Sequence, residues 1–159
     1  MKRDKFFHVD SPSLHVHICG LSDLYNEIQT MESVAEPRLA IRAVRGHKAT
    51  TKTAFLNELS AAFQFPGYFG ENWDGVADCL ADLKWLPAQA HVVVIANANQ
   101  LLSMEPVSEL KTMLSMFKHV AENKLKAKKP IPFHVVFHAG TDHAAALRQR
   151  LKEAGASIG

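Results

Sequence analysis

The run from Val92 to Ile95, four β-branched residues in succession, constrains the fold more than any other stretch of this sequence. A strand that is apolar at every position must be buried on both faces, which is typical of a strand inside a parallel sheet. Residues 14–18, 39–44 and 133–137 are also predicted strands, and segments with helical periodicity lie between them. The sequence therefore predicts an α/β fold, with a small, three- to four-stranded, mainly parallel sheet packed with helices.

Helices are predicted where apolar residues recur every three or four positions. The predicted segments are 23–31, a helix ending at 63 with Thr51 or Thr53 as its cap, 73–83, 106–125 and 141–153. Ser22 and Asn72 are the expected N-caps of the first and third helices. On the first helix, one face is expected to carry Leu21, Leu24, Tyr25 and Ile28. Val107 is expected to face inward on the fourth.

A chain of 159 residues corresponds to about one domain. Residues 1–38 are interpreted as an N-terminal extension that begins with a loose arm over 1–13. The extension is either an added strand–helix unit of the same sheet, which is the favoured interpretation, or a separate appendage. Residues 39–159 form the main domain in this interpretation. No secretory signal or membrane-spanning run is evident. The only two cysteines, Cys19 and Cys79, are expected to be reduced thiols, which favours a cytoplasmic location.

Charge is concentrated in two blocks, although the net charge is only +2. Residues 71–83 carry Glu71 and three aspartates with no basic residue, whereas 111–130 carry six lysines and one glutamate. The aspartates at 74, 78 and 82 are four apart, so on a helix they share one face. Two interpretations stay open from spacing alone: a solvated face whose first carboxylate complements the helix dipole, or a surface that binds a basic partner.

The loop before this helix favours a binding surface. Pro66, Gly67 and Gly70 permit a tight backbone, and of Tyr68 and Phe69 one is expected to be buried and the other exposed. An exposed aromatic residue beside a row of carboxylates is a common composition for a binding hot spot. The glycine at position 75, costly in a helix, is interpreted either as room for a partner's backbone or as merely tolerated.

Residues 66–80, PGYFGENWDGVADCL, resemble the signature of the barstar family of ribonuclease inhibitors. The shared pattern is an aromatic pair, Gly-Glu-Asn, an aspartate, and a second aspartate four residues later followed by Cys-Leu. The order of strands and helices over residues 39–138 is also similar to that of the family. The resemblance extends to neither the first 38 residues nor the last 20.

The resemblance implies a function by binding, without catalysis or a cofactor. Asp78 matches the aspartate that enters the nuclease active site, where carboxylates take the place of RNA phosphates. Asp74 matches the one that contacts the base-recognition rim. Tyr68, Gly70, Asn72 and Trp73 are expected to surround them. Ala77 replaces an interface tryptophan and His119 an interface glutamate, so the partner is expected to be a small basic ribonuclease or another basic toxin, with its identity open.

Two other functions compete with this one. The basic segment 111–129 fits a nucleic-acid-associated or regulatory module, although it lacks interleaved aromatic residues and any recognised motif. The nine histidines suggest a metal-dependent hydrolase, with His15 and His17 on one strand and His134 and His138 four residues apart. No His-Glu-x-x-His or Cys-x-x-Cys motif is present, so the histidines are interpreted as core or surface residues and no metal is expected.

Overall fold

The computed structural model describes residues 1–156 and 158, and these contain one four-stranded sheet. Its strands are β1 (Leu14–Ile18), β2 (Leu39–Arg45), β3 (Ala90–Ala96) and β4 (Phe133–Ala139). They are ordered β1-β4-β3-β2, and every neighbouring pair is parallel. The predicted α/β class with a parallel sheet is confirmed. All seven residues of β3 and of β4 are buried, as the apolar runs in both strands indicate.

Five α-helices connect and follow the strands. They are α1 (Leu21–Glu32), α2 (Lys52–Phe63), α3 (Trp73–Asp82), α4 (Val107–Leu125) and α5 (Ala144–Glu153). Thr51 and Asn72 cap α2 and α3 as predicted, each accepting a backbone N–H through its side-chain oxygen. Within the described ranges, no helix has the length and apolar character required to cross a membrane.

The order of the strands explains why helices lie on both faces of the sheet. From β2 to β3 to β4 the chain moves in one direction, whereas β1 to β2 crosses the whole sheet in the other. Because crossovers between parallel strands are right-handed, reversing the direction of travel places the connecting helix on the opposite face. α1 accordingly packs on one face with Leu24, Ile28 and Met31, while α2 to α5 pack on the other.

The N-terminal residues differ from the sequence-based expectation. Residues 3–7 form a 3₁₀ helix rather than a loose arm, and the Phe6 ring is fully buried against His15 and His134. Helix α1 begins at Leu21 with Gly20 as its N-cap, so Ser22 is not the cap. The stripe of this helix that meets the sheet runs through Leu24, Ile28 and Met31, whereas Leu21 and Tyr25 are exposed at its edge.

Two further details differ. Val107 is exposed instead of facing inward, because it is the first residue of α4 and the buried stripe starts at Leu110. Residues 141–143 form a 3₁₀ turn, and the last α-helix starts after it.

Candidate protein-binding face

The loop between α2 and α3 is held by its own aromatic residues. Gln64 ends α2 in the left-handed conformation, and Phe65 then packs against Phe63, Phe69 and Trp85 with ring centroids 5.1–6.5 Å apart. The Tyr68 side chain points away from this cluster and is 56% exposed. Tyr68 is thus the exposed member of the aromatic pair, whereas Phe69 is half-buried and not fully buried as expected. The loop is therefore a fixed platform that presents Tyr68 to solvent.

Asn72, Gly70 and Gly75 join this loop to α3. The Asn72 Oδ1 atom accepts the Gly75 N–H at 2.6 Å. A Cβ added to Gly75 would lie 2.9 Å from the Gly70 nitrogen and 3.2 Å from Asn72 Oδ1. Glycine at position 75 is therefore favoured by the chain's own loop, because Gly70 and Asn72 occupy the space next to its Cα atom.

The three aspartates of α3 have different environments. The Tyr68 hydroxyl donates a hydrogen bond of 2.5 Å to Asp82 Oδ2. This bond, assisted by the charge of Asp82, raises the pKa of Tyr68 to about 12. Asp74 and Asp78 are exposed, and among residues 1–156 and 158 neither has an ion-pair or hydrogen-bond partner. One carboxylate of the row is thus structural, and two are available.

A buried lysine supports the C-terminal end of α3. Lys124 reaches across from α4 and donates to the Leu80 carbonyl oxygen at 3.2 Å. Burial lowers the pKa of Lys124, while the charge of Asp82 opposes that change. Sequence spacing does not reveal this cation beside the acidic face, because Lys124 is 42 positions after Asp82 in the chain. The cation lies at the Asp82 end, which leaves Asp74 and Asp78 uncompensated.

Trp73 anchors the other end of the helix. Its indole N–H donates to Glu109 Oε2 at 2.8 Å, and its ring lies 5.8 Å from that of Phe55. The Lys52 ammonium lies 5.6 Å from the Trp73 ring centroid. Trp73 is half-buried, so it links α3 to α2 and α4 and exposes only part of its ring.

An exposed apolar segment adjoins this end of the face and was not identified from the sequence. The Lys52 backbone N–H donates to the Glu105 carboxylate at 2.8 Å, which brings the start of α4 to the start of α2. Met104 is 74% exposed there, and Val107 is exposed beside it. Met104 and Val107 therefore add exposed apolar surface at the start of α4, the helix whose Glu109 accepts the Trp73 N–H.

The basic segment lies at the opposite end of α3. A groove of about 180 Å³ separates the two charged blocks and is lined by Asp82, Asn123, Lys124 and Lys129, among others. His119 is exposed on α4, with its Nε2 atom 3.0 Å from Asn123 Nδ2. The acidic and basic blocks are therefore neighbours in space, and Lys124 is buried instead of being available to a polyanion.

Solved structures of Drosophila ORC are distantly similar to this chain. The structure of Drosophila ORC bound to AT-rich DNA and Cdc6 matches with a TM-score of 0.47 and 13% identity, over 99% of this chain and 49% of that one. The structure of Drosophila ORC bound to DNA matches with a TM-score of 0.46 and 13% identity, over 99% of this chain and 81% of that one. The chain thus spans about half the length of the first of these structures, and at such scores the likeness carries no argument.

The sequence comparisons are more specific. No curated protein sequence matches this chain. The family profile described as Barstar (barnase inhibitor) matches residues 39–138, which include β2 to β4, the aromatic loop and the acidic helix. This range is well over half of the chain, and it coincides with the range over which the resemblance was seen. The chain therefore belongs to the Barstar (barnase inhibitor) family.

Proposed function

We propose that this protein is an inhibitor, or immunity protein, of a small basic ribonuclease, and that it acts by binding without catalysis or a cofactor. The observation that supports this most directly is the pair of exposed carboxylates of Asp74 and Asp78, which have no ion-pair partner among the residues the structure describes, next to a fixed loop in a chain of the barstar family. In this proposal the carboxylates occupy the positions of RNA phosphates in the nuclease active site, and the protein protects the cytoplasm of the cell that makes it.

Asp78 is the proposed anchor and Asp74 its neighbour on the same face of α3. Ionised carboxylates form charge-assisted, often bidentate hydrogen bonds with guanidinium groups, and these are about twice as strong as neutral ones. Tyr68, Gly70 and Asn72 are proposed to contact the rim of the active site, with the exposed part of Trp73 below them. Met104 and Val107 would extend this contact as an apolar border.

The free carboxylates are also suited to rapid encounter. Uncompensated negative charge on a surface attracts a basic protein over a Debye length of about 8 Å at physiological salt. Because Asp82 is already held by Tyr68 and lies near Lys124, the attraction is centred on the Asp74–Asp78 half of the helix.

Residues 1–38 lie outside the matched range, although β1 pairs with β4 and α1 covers the second face of the sheet. We propose that they are a strand–helix unit added to a barstar-like domain of residues 39–159.

The test is inhibition of a barnase-type ribonuclease by the wild-type protein, Asp78→Ala and a control, Asp142→Ala. Asp142 is an exposed aspartate in the turn before α5, so its loss changes the net charge equally. Removing one partner of a buried ion pair costs about 2–5 kcal/mol, or roughly 30- to 4,000-fold in Kd. We expect that loss for Asp78→Ala and nearly unchanged inhibition for Asp142→Ala.

Two outcomes would contradict the proposal. Equal inhibition by wild type and Asp78→Ala would refute the role of Asp78. If neither inhibits, and binding to RNA is instead lost on replacing Lys126, Lys128 and Lys129 by alanine, the alternative of a nucleic-acid-associated module based on residues 111–129 would be supported.

A further inference from the structure

On the α1 face of the sheet, far along the chain from the acidic helix, three side chains of different metal-ligating types meet. His17 is on β1, Cys19 follows that strand, and Glu27 is on α1. The His17 Nε2 atom lies 2.7 Å from Glu27 Oε2, and one ligand atom from each of the three residues lies within 4.8 Å of the other two. We propose that these three residues form a zinc-binding site.

The local chain geometry explains why these three residues converge. Residues two apart on an extended segment point to the same face, so His17 and Cys19 both point toward α1. The chain turns at Gly20 and α1 returns over the sheet, which brings Glu27 opposite them. The Cys19 backbone is fixed on both sides, because its N–H donates to the Ala139 carbonyl oxygen at 3.2 Å and its carbonyl oxygen lies 2.9 Å from His138 Nε2.

The donor set fits zinc. Zn²⁺ binds imidazole nitrogen, thiolate sulfur and carboxylate oxygen at about 2.0–2.3 Å, so tetrahedral ligand atoms are roughly 3.3–3.8 Å apart. The separations in the cluster run from 2.7 Å, between His17 and Glu27, to at most 4.8 Å, a range that brackets the tetrahedral spacing, so an ion would require the His17 and Glu27 atoms to move apart. The ion would take the place of the hydrogen bond between His17 and Glu27. Zn²⁺ binds cysteine as the thiolate, so the metal would displace the thiol proton on binding.

The position of the cluster in the fold is a second, independent reason to expect a ligand. The connection after β1 passes over one face of the sheet and α5, which follows β4, packs on the other, although β1 and β4 are neighbours. Such a switch point, at the carboxyl ends of parallel strands, is where open α/β sheets bind their ligands. Cys19 and Ala139 lie at this point.

A cavity of about 560 Å³ opens onto the cluster and gives an ion a path to it. Cys19 and Glu27 line the cavity, together with the polar side chains of Asp23, Asn26 and Thr30. Three protein ligands leave one position of a tetrahedral zinc ion open, as in sites that hold a water molecule or an exogenous ligand. In this site the fourth position would face the cavity, where the polar side chains could hydrogen-bond to a bound water.

The Met1 amino group is the competing contact, because it lies 3.3 Å from Glu27 Oε1. A metal bound to Glu27 Oε2 would leave the contact between the Met1 amino group and Oε1 intact. In the alternative arrangement, the Met1 amino group and His17 bind the Glu27 carboxylate and no metal is bound. The presence or absence of a thiolate–metal bond distinguishes these two arrangements.

The test is Co²⁺ titration of the full chain, stripped of metal with a chelator, followed by displacement with Zn²⁺. A cysteine ligand produces a thiolate-to-cobalt charge-transfer band in the near ultraviolet, which surface histidines do not. Cys19→Ser removes the sulfur, and Cys79→Ser is the matched control because Cys79 is buried in α3, outside the cluster. We expect one ion per chain, with the band absent in Cys19→Ser and present in Cys79→Ser.

Glu27→Gln gives a second measurement that does not require any change to the cysteine. We expect its Zn²⁺ affinity to fall at least about tenfold, since even residues that only support a ligand contribute that much. Zn²⁺ should also raise the unfolding midpoint of the wild type, but not that of Cys19→Ser, because an ion that binds only the folded chain stabilises it. Circular dichroism of each metal-free variant would show that it folds.

Binding of Co²⁺ without the thiolate band, equal Zn²⁺ affinity in wild type and Cys19→Ser, or no binding at micromolar metal would each overturn the proposal. None of these measurements involves a ribonuclease, so the result is independent of the proposed inhibitory function.

Discussion

His91 should make the stability of this protein depend strongly on pH between neutrality and pH 5. The side chain lies in β3 and is only 1% exposed. Its Nε2 atom is 2.7 Å from the Leu86 carbonyl oxygen, whereas the buried Nδ1 has no hydrogen-bond partner in the part of the chain that is described. Nε2 therefore carries the proton and donates. A second proton on Nδ1 would be a buried donor without an acceptor, which is unfavourable.

The size of the effect follows from the pKa of this group. Burial lowers the pKa of His91 to about 4, and the hydrogen bond to Leu86 only partly opposes this. In the unfolded chain an ordinary histidine has a pKa of about 6.5, so below that pH the unfolded state binds a proton that the folded state does not. The contribution of neutral, buried His91 to the free energy of unfolding is therefore fully present well above pH 6.5. It is lost progressively as the pH decreases toward 4. The linkage relation gives a loss of about 2 kcal/mol at pH 5.

Urea unfolding at pH 7.5 and pH 5 measures this loss. His91→Gln is the informative variant, because its amide can still donate to the Leu86 carbonyl oxygen but does not titrate. We expect the wild type to lose about 2 kcal/mol more than His91→Gln between the two pH values. The exposed His143 provides the control, His143→Gln, which should lose as much as the wild type does. Equal losses in wild type and His91→Gln would refute the assignment of a neutral buried imidazole.

Other predictions concern the backbone, the phenol and the acidic face. Gly46→Ala should lower the free energy of unfolding by about 2 kcal/mol or more in urea titrations, because the added Cβ would overlap backbone carbonyl oxygens at the end of β3. Gly67→Ala is the control: its added Cβ meets nothing within 4 Å, so it should change the free energy of unfolding by less than about 0.5 kcal/mol. Near pH 11, ultraviolet absorbance should show Tyr68 still protonated, and Asp82→Asn should bring its ionisation back toward pH 10; unchanged titration would contradict the hydrogen bond. If the proposed function is right, stopped-flow association with a basic ribonuclease should slow as salt rises, and Asp74→Asn should make it slower and less salt-dependent.

The features that could be predicted from the sequence depend on neighbouring residues. The caps at Thr51 and Asn72 and the buried strand at 92–95 follow from local hydrogen bonding and apolar patterning, and the structure confirms them. The start of α1 was missed because Gly20 caps it without a side-chain hydrogen bond, leaving no polar residue to mark the boundary.

Contacts between distant parts of the chain could not be predicted in the same way. Lys124 comes to lie beneath Leu80 only because α4 packs on α3, and the donation from Tyr68 to Asp82 depends on the path of the intervening loop. The histidines were paired by sequence spacing, but the sheet pairs them differently. Since β1 lies beside β4, the His15 Nε2 atom is 3.0 Å from His134 Nδ1, which leaves His17 to pair with Glu27.

Because helices cover both faces of the sheet, ligands that bind on the two sides are separated by a packed layer. α1 and α3 are separated by β3 and β4, whose side chains are close-packed on both faces. A close-packed layer of this kind transmits little free energy between its two faces unless it can adopt two arrangements. We therefore expect a metal ion bound on the α1 side and a protein bound on the α3 side to stabilise the fold additively. Neither ligand should change the affinity of the other.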